Sequence, residues 1–541
     1  MTTRRLRSAS RALLFIALAG CSNSERDLPQ LTITQGPEVT PVAGVPLAYT
    51  LTMSTSLNAG IVAEVDDRQG HQFTINFLGQ ARDHELTILG LYPDRDYRMT
   101  VTATTLDNIS TKASQTLRMP TDPLPDDFPA LTLSVAKQNR IEPGFTLLDA
   151  ARKDASAAYI IILDEDGEVV WYYQPASQSE TERASSGDLF TLDSGIGLIT
   201  ELAMNGEVTT AFHSAQSANQ VGDSIAVDIG EFHDEALREG ATGSYFVSVR
   251  DTSRKVQNFP VDEFDETATA NVFVIDEPVI EFAADGRIVN RWNFLSILKK
   301  TRIGYDGTDG LPEAADWAHV NGIYFDATDN AIIASLRNQD AVVKISRSNS
   351  RLQWILGTPA NWEGFEEFLL TPDESPFEWQ YHQNAPEVTS ADTVLVFDAG
   401  NRRASPFTGE PITPAVDNES RAVEFAVDEA NMTVSRAWAW GEAQSGEALF
   451  SPLAGDADRL PRTGNTLITF GGLCTEAGVP SDNVDSCRSS ARIIEVDTET
   501  DERVWDLAVD DNDPQSTGYL VYRSERLTTL YGDPNVFVTS N

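Results

Sequence analysis

The sequence predicts an all-β protein, a six-bladed β-propeller preceded by a small β-sandwich. Three observations carry this prediction. Residues 31–120 alternate apolar and polar residues in short runs separated by turn residues, the period-2 pattern of half-buried strands. From residue 128 onward, a hairpin that ends in an aromatic residue recurs six times. A second apolar strand unit is interleaved between those hairpins, and two hairpins per repeat make a four-stranded blade.

Residues 1–20 read as an export signal. Arg4, Arg5, Arg7 and Arg11 form a positive leader, and Ala12 to Ala19 is an apolar stretch too short to span a bilayer. Leu18-Ala19-Gly20-Cys21 resembles the bacterial lipobox, which implies lipidation of Cys21. The expected product is a periplasmic or cell-surface lipoprotein, anchored to the outer membrane by lipid alone. Residues 21–30 would be a tether. The sandwich follows over 31–120, and Leu91-Tyr-Pro-Asp-Arg-Asp-Tyr97 resembles the corner of immunoglobulin-like and fibronectin type III domains. There the tyrosine packs inward and its hydroxyl meets nearby backbone, so Tyr97 is expected to do both. Residues 121–127, with Pro123 and Pro125, form a stiff linker.

The propeller is expected over 128–541. Its six repeat copies run Ile160 to Trp171, Leu202 to Phe212, Phe282 to Trp292, Val342 to Trp354, Val423 to Trp438 and Ile493 to Trp505. Asp-Gly and Asn-Gly pairs in the first three suit two-residue turns, whose twist matches that of the flanking strands. The terminal aromatics are expected to be blade core. The second unit reads Ala331 to Ser335, Val394 to Asp398 and Asn465 to Phe470.

The chain of 541 residues carries 82 acidic and 40 basic residues, a net charge of −42. Such a surface repels phosphate backbones, which excludes nucleic acid as a partner. The excess acid reads as a solubility device, and pairs such as Asp66-Asp67 and Asp510-Asp511 as solvated loop charge. Beyond Cys21 only Cys474 and Cys487 remain, an even pair expected to be bridged in an oxidising compartment.

Six histidines are present. His71 and His84 lie in the sandwich region, and His213 ends a repeat copy. His233, His319 and His382 each precede a strand of a different blade, and Arg337 follows the strand after His319. Propeller geometry turns equivalent positions toward one axis, so these four are the candidate site. Three histidines also suit a metal, but an arginine beside them opposes a cation, and no metal or other cofactor is expected.

Asp316-Trp-Ala-His-Val-Asn321, Ser335-Leu-Arg-Asn-Gln339 and Gln353-Trp-Ile-Leu-Gly357 resemble the bacterial arylsulfate sulfotransferases. The likeness is strongest between Asp316 and Gly400. In that family His319 and Asn321 match a His-x-Asn pair, and Arg337 matches the arginine of a Ser-Ser-Arg-His-Gln run. His382 matches the nucleophile and His233 an earlier histidine. Leu336 and Asn338 depart from the run, and Tyr381 separates Gln380 from His382.

The resemblance implies transfer of a sulfuryl group from a phenolic sulfate ester to a phenol, through a sulfo-histidine and without a nucleotide donor. Catalytic roles would fall to His382, His319, Arg337 and His233, with Asn321 binding substrate. The chemistry asks for these types: Arg337 for the oxygens' charge, imidazole for nucleophile and proton shuttle. The chain contains no Gly-Lys dipeptide and no Gly-x-Ser-x-Gly elbow. The contrasting expectation is a non-catalytic surface propeller that binds an anionic or aromatic ligand. A homodimer is left open.

Overall fold

The computed structural model describes residues 30–540, apart from 194, 217–221 and 241–242. The export signal, Cys21 and nearly all of the tether lie outside the described residues. The described chain is almost wholly β, with two helical turns of four residues each, Phe294–Ile297 and Glu442–Ser445.

The N-terminal strands alternate as the sequence does. In Asp96–Thr104 every second residue is buried, so one face meets a core and the other water. The long strands Tyr49–Asp66 and Gln72–Ile88 pair along most of their length, broken by a register shift between Ser54 and Ala59. Ile33–Pro41 pairs with the first half of Tyr49–Asp66, and Asp96–Thr104 with the second half. The result is one continuous seven-stranded sheet, not the two separately bonded sheets of the expected immunoglobulin- or fibronectin type III-like sandwich. The bulge makes the difference, because it bends the central strand and lets one strand serve both halves. Its seventh member is Val536–Ser540, which pairs with Phe73–Phe77 from the far end of the chain.

Tyr97 behaves as its corner predicts. It is fully buried, and its hydroxyl accepts the backbone N–H of Tyr92 at 3.0 Å. The linker is pinned rather than free, because the Tyr159 hydroxyl donates to Asp127 Oδ1 at 2.7 Å and that of Tyr519 to the Asp127 carbonyl.

All six aromatic-ended hairpins form as antiparallel pairs. Trp171, Trp292, Trp354, Trp505 and Phe212 are buried, as core residues should be. Full burial of such a side chain contributes about 2–3 kcal/mol. The sheets themselves are arranged as a β-propeller, and five blades take all four strands from contiguous chain. Their innermost strands are Ser179–Arg183, Glu231–Glu239, Val320–Asp326, Asn384–Val388 and Gly455–Arg459.

The expected count of six such blades is corrected here. The hairpin ending in Trp171 lies in a composite sheet of three local strands, Phe145–Arg152, Ala158–Leu163 and Val169–Tyr173, completed by the distant Tyr519–Leu527. Its contiguous stretch supplies three strands, because Ala130–Ala136 instead joins the outer edge of the last blade. The N-terminal sheet shares one apolar core with this composite sheet through Leu147, Ile160, Ile162, Trp171 and Leu527.

The carboxylate pairs expected to be solvated are only partly so. Asp67 is buried and accepts the backbone N–H groups of Gln69 and His71 at 2.7 and 2.9 Å. Asp511 pairs with Arg152 at 2.7 Å, its side chain 4% exposed. Each closes a turn, where a carboxylate satisfies backbone donors that water would otherwise reach. Cys474 and Cys487 are bonded, with Cα atoms 5.4 Å apart.

Candidate functional site

The innermost strands Glu231–Glu239, Val320–Asp326 and Asn384–Val388 are neighbours around the axis. His233 is the third residue of the first, His319 immediately precedes the second, and His382 stands two residues before the third. Arg337 begins the tight turn after Ala331–Leu336, and its backbone N–H donates to the His319 carbonyl at 3.1 Å. Equivalent chain positions thus meet at one end of the channel.

His233 is buried, and its Nδ1 donates to the Val320 carbonyl at 3.2 Å. A carbonyl only accepts, so Nδ1 carries hydrogen. Its ring stands edge-on to that of His319, centroids 5.3 Å apart. His319 adopts a left-handed backbone at φ +48°, which aims the ring out of the strand register. Its Nδ1 meets Asp316 Oδ2 at 2.7 Å. Burial alone would raise the Asp316 carboxyl, but His319, Arg250 and His233 outweigh it and hold it below the usual range.

His382 is fully buried. Its Nδ1 lies 3.0 Å from Asp340 Oδ1 and its Nε2 3.2 Å from Asp306 Oδ2. Neither contact is aligned along a ring N–H, so these are ion pairs more than hydrogen bonds. Burial by itself lowers the imidazole pKa, and Arg337 adds to that; the two carboxylates prevail, and the net shift is upward. Asp340 also accepts the His382 backbone N–H at 2.9 Å, which fixes the left-handed turn at φ +49°.

Arg337 is held loosely. Nη1 donates to Asn338 Oδ1 at 3.0 Å and faces Asp306 Oδ2 at 3.6 Å, and Nη2 donates to the Pro452 carbonyl at 3.4 Å. Asp306 is the hub. Besides His382 and Arg337 it meets Arg402 Nη2 at 3.0 Å. Burial alone would raise its carboxyl, yet His382, Arg337 and Arg402 hold it far below the usual range.

A cavity of about 380 Å³ opens beside these groups, lined by Asp306, His319, Arg337, Asn401 and Arg402. Its far wall is Asp482 to Asp485, from the loop that the Cys474–Cys487 bridge closes. His382 and His233 stand behind that lining, and Asp306 lies between His382 and the open space.

Asn321, expected to bind substrate, does not reach the cavity. It is buried and donates to the Gln383 carbonyl at 2.9 Å and to Asn384 Oδ1, so it anchors the segment that carries His382. Asn338, the departure from the family run, ties down the connector before Val320, donating to the Asp316 carbonyl at 2.7 Å. Sequence reasoning missed Asp306, Asp316, Asp340, Arg402 and Asn401. The Asn401 amide donates to the Pro452 carbonyl at 3.2 Å, and its oxygen, buried at the cavity wall, has no partner among the described residues. Among those residues no cluster suits a metal ion.

A second cavity, of about 370 Å³, lies toward the opposite ends of the same strands, lined by Glu182, Arg238, Glu387, Asp456, Arg523 and Glu525. No histidine lines it, and burial pushes the carboxyls of Glu387 and Glu525 up to about 7.

Fold and site together define a β-propeller with a histidine–arginine pocket at one mouth of its channel. The arylsulfotransferase (ASST) family model matches residues 132–520, and the chain belongs to that family. It is similar to the arylsulfate sulfotransferase AssT of Escherichia coli O6:H1 (strain CFT073), 27% identical over 300 residues, 46% of this chain and 47% of the relative. It is equally similar to AssT of Lelliottia amnigena, 27% over 298 residues, 46% and 47% of the two chains. The chain therefore spans about half the length of the curated relatives it matches. Among solved structures, the β-propeller domain of Myceliophteria thermophila Cps50 (Swd1) overlaps at a TM-score of 0.33 and 8% identity, covering 71% of this chain and 99% of that one. That overlap is too loose to carry an argument, and the propeller rests on the strand pairing.

Proposed function

We propose that this protein is an arylsulfate sulfotransferase that moves a sulfuryl group from a phenolic sulfate ester to a phenolic acceptor by a ping-pong route. The observation that carries the reading is the cation cluster around Asp306: His382 Nε2, Arg337 and Arg402 all face one carboxylate. Such a cluster suits the three oxygens of a sulfuryl group, whose transfer depends mainly on positioning and charge stabilisation.

The Nε2 lone pair of neutral His382 forms an N–S bond as the S–O bond to the donor's aryl group breaks. Arg337 offers a planar pair of donors to the sulfuryl oxygens. The leaving aryl oxygen takes a proton from the His319 side, where Asp316 holds Nδ1 and makes Nε2 the exchanging atom. The acceptor phenol then returns a proton to His319 as its oxygen forms the new S–O bond and the N–S bond breaks. Donor and acceptor exchange one SO₃ for one proton, and no cofactor enters the balance. His233, edge-on to His319, steadies that ring and its charge. In the cell we place the chain outside the cytoplasm, anchored through lipidated Cys21. Among the described residues no helix is long and apolar enough to cross a membrane.

The complete burial of His382 behind Asp306 favours one other reading, a propeller that binds anionic phenols without turnover. Incubation with 4-nitrophenyl sulfate separates them. Nitrophenol release that requires added phenol, and an acid-labile sulfuryl adduct lost in His382→Asn, are expected of the transferase. Release independent of phenol indicates a hydrolase, and no release with any aryl sulfate leaves the binder.

A further inference from the structure

We propose that Asp306 is a built-in occupant of the sulfuryl seat, a carboxylate that the donor's sulfuryl group must displace before His382 can react. This deepens the sulfotransferase reading and rests on it. Oδ2 of Asp306 touches the nitrogen that has to attack and also faces Arg337, while Oδ1 holds Arg402. One anion thus spans three cationic groups, as two sulfuryl oxygens would. Simultaneous occupancy would press a sulfate ester against a carboxylate, so the two are alternatives.

The surroundings let the side chain leave. The backbone of the connector is fixed: the Gly304 N–H donates to the Asn338 carbonyl at 3.0 Å, and the Asp306 carbonyl accepts from Asn338 Nδ2 at 3.3 Å. A side chain added at Gly304 would approach that Asn338 carbonyl to 2.3 Å, so the connector packs closely against the turn that carries Arg337. Rotation of the Asp306 carboxylate into the adjoining cavity needs no backbone movement, because Asp306 already lines it.

Two further carboxylates press on the seat, Asp309 from the same connector and Glu263 from the loop between Ser244–Pro260 and Thr269–Asp276. Each is pushed upward in pKa by burial and then by the Asp306 charge. They oppose Asp306, whereas Arg337 and Arg402 retain it. Asp340 faces His382 from the other side.

The arrangement couples arming to occupancy. With Asp306 seated, His382 has a carboxylate at each ring nitrogen, which favours the imidazolium, a form with no lone pair to attack. With a sulfuryl group seated, Asp306 is expelled and the ring retains only Asp340. The Nε2 proton leaves with the departing Asp306 carboxylate, which already faces that nitrogen. The incoming sulfuryl charge, spread over three oxygens and met by Arg337 and Arg402, holds the imidazolium less strongly than the carboxylate did, so the nucleophile forms where the donor is already bound. Asp306 is therefore a positioning residue that acts through His382.

Inorganic sulfate is the probe, titrated calorimetrically into the native chain, Asp306→Asn and Asp306→Ser. Both variants are expected to bind sulfate about tenfold or more tightly than the native chain, as expected for removing one close like charge. Their donor KM is expected to fall, and the acidic limb of the pH profile for 4-nitrophenyl sulfate to move about one unit lower. Equal or weaker sulfate binding in folded Asp306→Asn and Asp306→Ser overturns the proposal, as does an unmoved acidic limb. The titration needs no turnover. Tightened sulfate binding in a protein that turns over no aryl sulfate supports the seat while sinking the sulfotransferase reading.

Discussion

Replacing Arg337 by lysine separates catalytic from structural work at this site. In the resting structure the guanidinium makes two neutral hydrogen bonds, at 3.0 and 3.4 Å, and one ion pair at 3.6 Å, none of them bidentate. Asp306 keeps Arg402 and His382 when Arg337 is changed. The folding cost of Arg337→Lys is therefore about 1 kcal/mol or less, a melting shift of about 2 °C for a chain this large. The transition state asks more. A positioned donor on developing oxyanion charge is worth about 2.7–4 kcal/mol, or a factor of 10² to 10³. Lysine keeps the charge and loses the fork, so the lower end applies and kcat/KM for the donor falls about 100-fold. The assay is nitrophenol release from 4-nitrophenyl sulfate with saturating phenol, run beside a thermal melt. A variant within about threefold of the native rate would refute the role given to Arg337; a rate loss matched by a melting drop of about 10 °C would make it structural.

Stability should fall as pH rises from about 5 to 8. Burial pushes Glu180 and Glu525 up to about 7, and Asp149 up to about 8, from ordinary values near 4. Across that window the folded state holds more protons than the unfolded state, so the slope of unfolding free energy with pH is negative. Glu525→Gln keeps the bond from the Arg183 backbone N–H and should flatten the slope; melting temperatures that rise from pH 5 to 8 would contradict this. Below about pH 4 the depressed Asp306 and Asp398 take over, and stability is lost as they protonate. Reducing the disulfide, or Cys474→Ser, frees the loop whose residues 482–485 form a cavity wall. The expected result is a several-fold higher KM with little change in the overall melt, because Glu476 still accepts from Ser481 at 3.3 Å and from Ser486; an unchanged KM would remove the wall from substrate binding.

Periodicity made the fold legible where burial imposes it. The six hairpins show because five of their terminal aromatics are core residues with few alternatives, while Trp438 is only half-buried, its indole N–H bonded to Asp501; Tyr97 shows because its corner has local chemistry. The convergence of His233, His319, Arg337 and His382 was legible because repeat geometry turns equal positions inward. What stayed hidden is non-periodic. Asp306 and Asp316 lie on a connector without regular structure, and in a chain with 82 acidic residues one aspartate does not stand out. Asn321 lies two residues after His319 in sequence, yet its side chain turns to Gln383, a choice set by packing. The composite sheet and the seventh strand of the N-terminal sheet both depend on pairing over several hundred residues, which no local pattern encodes.

The late strands Tyr519–Leu527 and Val536–Ser540 finish two different sheets. Until residues 519–540 are available, the channel is open along one side and the edge at Phe73–Phe77 has no neighbour on that flank. Closure over such a span is slow, because the entropy of bringing distant segments together is met before their contacts form. A clip or truncation near residue 519 is expected to unlatch both sheets at once.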